Sequence, residues 1–321
     1  MVRQQSVITI GNFDGVHVGH AAILRCGRAL AYQHNLSFKV LTFEPHPATV
    51  LRPGRVPLRL YDEAQKVELL QTFGVDEVVC LKPDRVLMDR SPKSFVEQVV
   101  ADHRPMAIVE GPDFKFGRGR AGDVLVLAEL GKQLGFQTQV VDRTHVVLID
   151  QLMTAVSSTM IRWLIKCGRV ADASRCLGRA FELVGPVCRG EQRGQGLGVP
   201  TANLASDVLS GRVIPADGVY AGHVRLVDDG ADHLAAISVG IKPTWNQRIR
   251  TIEAHLLDFD GDLYGRVIAV RFVRWLRDQC AFPCVKELQQ QLTRDIHCTR
   301  LLTDHGLLEV GPVRDNLQAT G

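Results

Sequence analysis

Apolar positions in the first half of the chain fall into short runs separated by longer stretches with helical spacing. Residues 6–10, 38–43, 77–81 and 107–109 read as strands, while 19–34, 62–73, 91–103 and 123–134 carry apolar side chains three and four apart. Strands that alternate with helices of this length predict a parallel sheet covered on both faces, a Rossmann-like α/β domain. Ser91 followed by Pro92 supplies an N-cap and a first helical residue, and Ser157 and Ser158 mark another helix start before an apolar stretch through Ile165.

Beyond about Leu183 the texture changes. Glycine and proline punctuate short runs at 218–226, 234–239, 252–257 and 267–272, which predict antiparallel strands closing into a small β-barrel. Residues 285–302 return to helical periodicity, with Leu288, Leu292, Ile296 and Leu301 on or near one face that would pack on the barrel. The pattern places a domain boundary near Ala180. It gives a first domain at 1–180, a second at 181–304 and a loose tail at 305–321. A length of 321 residues agrees with two domains.

Composition narrows the function classes. With 45% hydrophobic and 23% charged residues, the chain is neither disordered nor collagen-like. A net charge of +3 gives no broad basic footprint, so no nucleic-acid partner is expected and phosphate recognition must be local. There is no signal-peptide pattern and no long uninterrupted apolar run, so no membrane partner is expected either. Eight cysteines without a CxxC pair read as reduced thiols of a cytoplasmic protein. The spacing of Cys280, Cys284, His297 and Cys298 is poor for a metal site.

The most informative stretch is GNFDGVHVGH, from Gly11 to His20, directly after a predicted strand and leading into a predicted helix. A strand, a glycine turn and a helix N-terminus bring backbone amides and the positive dipole end to a place where a phosphate can sit. Gly11, Asn12, Phe13, Asp14, Gly15 and Gly19 form the turn, and Gly19 allows close approach by a nucleotide. His17 and His20, three apart, share a face if the helix begins there. Two imidazoles so placed can donate hydrogen bonds to phosphate oxygens as charge builds during transfer. By itself such a pair is more often a surface accident; the glycines and the preceding strand change that.

This stretch resembles the HxGH signature of the nucleotidyltransferases. In its fuller form it is similar to the bacterial bifunctional riboflavin kinase and FMN adenylyltransferase family, the FAD synthetases. Thr42 to Pro47 (TFEPHP), Gly111 to Gly117 (GPDFKFG) and Ser157 to Arg162 (SSTMIR) resemble further elements of that family in the same order. The resemblance implies an ATP site that includes Asp113, Ser158, Thr159 and Arg162, the last neutralising the leaving pyrophosphate. Gly117 to Gly122 also matches GxGxxG, but it follows a loop and lacks the acidic partner of a dinucleotide site.

In the second half, GEQRGQGLGVPTANL at 190–204 combines a glycine-rich loop with an extended polar segment. Gly190, Gly194, Gly196 and Gly198 can wrap phosphates with backbone amides; after Pro200, Thr201 and Asn203 alternate outward and offer oxygen ligands to a hard cation such as Mg²⁺. The segment resembles the GxPTAN motif of riboflavin kinases, and DGVY at 217–220, GIKPT at 240–244 and EAHL at 253–256 extend the match. Glu253 alone on a strand would be an ordinary solvent-facing residue. The resemblance makes it the catalytic base that accepts the proton of the attacking alcohol. The chain departs from the family at Gln279, Cys280, Val199 and Trp245, positions that the resemblance puts near the flavin.

The resemblance implies an enzyme that uses ATP and Mg²⁺ to convert riboflavin to FMN in the C-terminal domain and FMN to FAD in the N-terminal domain. Two other readings compete: a nucleotidyltransferase for another acceptor, against which PTAN and EAHL argue, and a flavin-binding protein whose catalysis has decayed, against which the intact motifs argue. Self-association into a weak homo-oligomer is left open by the sequence.

Overall fold

The computed structural model describes residues 5–189, 199–243 and 248–304. Its first part runs β1 (Ser6–Ile10), α1 (Val18–Gln33), β2 (Ser37–Phe43), a single turn α2 (Ala48–Leu51), α3 (Glu63–Thr72) and β3 (Glu77–Leu81). A single turn α4 (Arg85–Met88), α5 (Pro92–His103), β4 (Pro105–Glu110), α6 (Val124–Leu134) and β5 (Gln137–Val140) follow. The five strands form a parallel sheet in the order β3-β2-β1-β4-β5. The chain grows outward from β1 in one direction, then returns to add β4 on its other side. That reversal leaves a crevice at the C-terminal ends of β1 and β4, the place where open α/β sheets bind ligands.

Every residue of β1 is buried because both faces of the sheet are covered. Ile8, Ile10, Leu41 and Ile108 meet Phe95, Val96 and Leu127 of α5 and α6. Val7, Val40 and Val109 meet Leu24 of α1 and Leu70 of α3. The caps follow the sequence: Ser91 accepts from the Ser94 amide, Asp62 and Gln65 form a capping box, and Asp123 caps α6. At Gly27 a Cβ would stand 2.3 Å from the Phe38 ring, so glycine sets how closely α1 lies on β2.

A hairpin of β6 (His145–Val147) and β7 (Met153–Ala155) leads to α7 (Ser158–Lys166) and α8 (Val170–Leu177). Then come β8 (Phe181–Cys188), β9 (Ala202–Leu204), β10 (Gly218–Leu226), β11 (Asp232–Pro243), β12 (Arg248–Leu256), β13 (Val267–Arg277) and α9 (Val285–Asp304). The six strands close into an antiparallel barrel in the order β10-β11-β12-β9-β8-β13. Phe181, Tyr220 and Phe272 are fully buried in it, with the Tyr220 ring edge-on to Phe272.

The chain divides into two compact units, the first ending at Val146 with Met153–Ser158 added, the second holding Val147–Leu152 and everything from Thr159. The boundary expected near Ala180 follows the change in texture; the compact units part earlier because α7 and α8 pack on the barrel. Ala216 N donates to Ile165 O, and at Gly168, with φ of +74°, a Cβ would stand 2.4 Å from the Trp275 ring.

Helix α9 turns most of the expected face inward and departs from it at its C-terminal end. Leu288, Leu292 and Ile296 are half-buried, but Leu301 is 41% exposed, and Asp295 and Thr299 are the buried positions, with Leu302 beside them. Arg277 at the end of β13 reaches Asp295 at 2.7 Å, and this ion pair partners the buried carboxylate. Gly190, Gly194, Gly196, Gly198, Trp245 and the tail lie outside the described residues.

Candidate active sites

The first site lies in the first unit, at the crevice between β1 and β4. The turn after β1 carries two non-glycine residues with positive φ, Phe13 at 48° and Val16 at 36°, beside Gly15 at 86°. Such values are costly for a β-branched residue, and the burial of both Phe13 and Val16 holds them there. The turn is braced from several sides: Asp14 accepts from the Leu60 amide at 3.0 Å, Ser158 Oγ donates to Asp14 O at 2.8 Å, and Thr42 Oγ1 donates to Asn12 O. Asp14 therefore holds backbone in place, and Ser158 reaches the turn from 144 residues away.

His17 is the N-cap of α1. Its Nδ1 accepts from the His20 amide at 3.2 Å, which places the proton of the neutral ring on Nε2. The rings of His17 and His20 stack with centroids 3.6 Å apart, and Phe13 meets the His20 ring edge-on at 5.1 Å. A Cβ on Gly19 would stand 3.2 Å from the His17 ring, so glycine leaves the imidazole its place. Both histidines line a cleft of about 350 Å³ together with Gly11, Phe13, Gly19 and Asp113.

Two further residues of this cleft escape sequence reasoning. Glu110, the last residue of β4, is 3% exposed and lines it; the only signal was an acid at the end of an apolar run. Arg143 lines it as well and forms a two-pronged ion pair with Asp113, holding that carboxyl below the usual range. In GPDFKFG, the buried Phe116 packs near Phe95, Phe114 stacks on Phe116, and Gly117 passes close over Pro92. The phenylalanines thus anchor the loop whose Asp113 and Phe114 face the cleft. Thr159 and Arg162 belong to α7 in the second unit.

The second site lies on the barrel. Antiparallel pairing sets Glu253 of β12 opposite Asn203 of β9, and Thr201 Oγ1 donates to Glu253 Oε2 at 3.3 Å. Asn203 donates to Thr201 O at 3.4 Å, and the His255 ring meets Pro200 O at 2.8 Å. Pro200, Thr201 and Asn203 line a cleft of about 450 Å³ with Phe259, Asp262 and Tyr264, and Glu253 stands beside it through Thr201. A hydroxyl, an amide oxygen and a carboxylate are hard donors, which fits Mg²⁺. DGVY is built into the barrel: Asp217 pairs with Arg250, Gly218 leaves room for Trp275, and Tyr220 donates to Ala216 O at 2.6 Å. Gln279 Nε2 donates to Ser238 Oγ and to Val239 O, which pins the segment after β13 onto β11.

An HxGH-type α/β unit followed by a six-stranded barrel with a PTAN strand defines a class, the enzymes that build flavin nucleotides in two modules. The FAD synthetase family model matches residues 1–159 and the riboflavin kinase model residues 177–303. The bifunctional riboflavin kinase/FMN adenylyltransferase of Haemophilus influenzae is 33% identical over 93% of this chain and 94% of its own length. That of Escherichia coli K12 is 35% identical over 91% of each. A solved structure from Streptococcus pneumoniae, described as a macrolide-efflux protein, superposes with a TM-score of 0.84 at 29% identity over 94% of this chain and 95% of that one. The chain belongs to the bifunctional riboflavin kinase/FMN adenylyltransferase family. Among the described residues no helix is long and apolar enough to cross a membrane.

Proposed function

We infer that the two clefts carry the two activities of the family, the barrel cleft making FMN and the cleft between β1 and β4 making FAD. In the barrel, Glu253 takes the proton of the riboflavin 5′ hydroxyl as its oxygen attacks the γ-phosphorus of ATP, and ADP leaves. Thr201 holds the carboxylate in place. Thr201 and Asn203 would hold Mg²⁺, which when bound neutralises phosphate charge. The loop with Gly190, Gly194, Gly196 and Gly198 is assigned to the ATP phosphates.

In the first cleft, a phosphate oxygen of FMN attacks the α-phosphorus of a second ATP; a P–O–P bond forms, and pyrophosphate departs. His17 donates from Nε2, and with His20 it stabilises the charge that builds on the phosphate oxygens. The backbone of Gly11 to Gly15 and the amide end of α1 receive phosphate, while Asp113, Ser158, Thr159 and Arg162 complete the ATP site, Arg162 facing the pyrophosphate. The stacked pair at the N-terminus of α1, beside the strand-order reversal, is the observation that carries this assignment.

On this reading residues 1–180 form the adenylyltransferase domain, 181–304 the kinase domain and 305–321 a tail. The cytoplasm is the compartment that suits an ATP-dependent enzyme whose eight cysteines are all free. The test is chromatography of the purified chain with riboflavin, ATP and Mg²⁺. FMN and then FAD are expected; absence of both overturns the reading.

A further inference from the structure

The β1–β4 ladder pairs Ile8 with Ile108 and goes no further. Where the two strands part, the Glu110 carboxyl fills the gap: its Oε1 accepts from the Ile10 amide at 2.7 Å and from Thr9 Oγ1 at 3.5 Å. One oxygen thus replaces the missing ladder carbonyl and fixes the end of β1, from which the Gly11–Gly15 turn springs. Both bonds fall on that oxygen, and Glu110 is one of the residues that line the cleft.

Burial pushes the Glu110 carboxyl well above the usual carboxylate range, although the two hydrogen bonds pull the other way. The remaining titratable groups lining the cleft are His17, His20, Asp113, Asp142 and Arg143, and Asp113 and Arg143 neutralise each other. The neighbouring strands β1 and β5 contribute none, and the core beside β4 is filled from α5 and α6 by Phe95, Val99, Leu127 and Leu130. A negative charge at this floor would repel the polyanions that the site must seat.

We propose that Glu110 serves adenylyl transfer as a neutral carboxylic acid, anchoring β1 through one oxygen and donating the hydroxyl of the other to an acceptor atom of the bound nucleotide. The inference rests on the assignment of this cleft to FAD formation. Glutamine keeps the acceptor and the donor but cannot ionise, which makes Glu110→Gln the discriminating variant.

The experiment follows FAD formation from FMN and ATP in the full chain from neutral to alkaline pH. The wild-type KM for ATP rises at the alkaline end, while that of Glu110→Gln lacks this rise. Glu110→Ala raises this KM about tenfold at neutral pH, the loss of one buried hydrogen bond, and Glu110→Gln recovers most of it. Coincident alkaline limbs in wild type and Glu110→Gln overturn the proposal, as does an unchanged KM in Glu110→Ala. Should the alanine variant fail to fold, the glutamine comparison decides alone. A His17→Ala/His20→Ala protein that still makes FAD would instead remove the assignment of the cleft, an outcome the Glu110 variants cannot mimic.

Discussion

The two sites are built by opposite routes. In the parallel unit the histidine pair and its glycine turn come from one unbroken stretch, Gly11 to His20, because the strand ends there and the helix begins within eight residues. In the barrel they come from partners 52 residues apart, Thr201 and Glu253, joined by antiparallel register. A parallel sheet collects its chemistry in the loops at the strand ends, whereas a barrel must aim side chains sideways from its wall. The histidine pair can therefore be disturbed by one local change, while the Thr201–Glu253 pair depends on two strands keeping step.

That difference predicts separable losses. His17→Ala/His20→Ala should lower FAD formation by about a thousandfold or more while FMN accumulates, as removal of charge-stabilising donors does. Glu253→Gln should lower FMN formation by about 10²–10⁴-fold while FAD is still made from supplied FMN. If both activities fall together in a folded variant, the two sites do not work independently. Quantitative FMN and FAD chromatography reads both.

Smaller effects test what holds each unit together. Asp295→Ala leaves Arg277 without its buried partner and should destabilise the barrel unit by about 3 kcal/mol, measured by denaturant unfolding. Gly27→Ala forces a Cβ against the Phe38 ring and should cost the α/β unit about 1–3 kcal/mol by the same measurement. Overlapping losses in both units from either variant would contradict the division of the chain.

The smallest effect is a pH dependence. A carboxyl whose pKa is raised by folding contributes its stability below the ordinary glutamate value of 4.5, and that contribution is lost as pH rises toward the folded value. Wild type should therefore lose ground to Glu110→Gln as pH rises from 4.5 into the neutral range, read as a widening difference in Tm. A constant difference would show that folding does not raise the Glu110 pKa.

Strand and helix alternation, the capped helix starts and the GNFDGVHVGH turn were legible from the residues alone, since period, caps and turn chemistry act over a few neighbours. The same holds for the helical spacing of 285–302 and for Leu288, Leu292 and Ile296 on its half-buried side. Tertiary structure alone decided that Asp295 is buried while Leu301 is exposed, since the partner of that carboxylate, Arg277, lies on β13. It also grouped α7 and α8 with the barrel, through the close approach of Gly168 to Trp275. Only strand register brings Thr201 to Glu253, and only the parting of β1 from β4 gives Glu110 its gap. Such pairings join residues 50 to 100 positions apart, and no local pattern encodes which of them will meet.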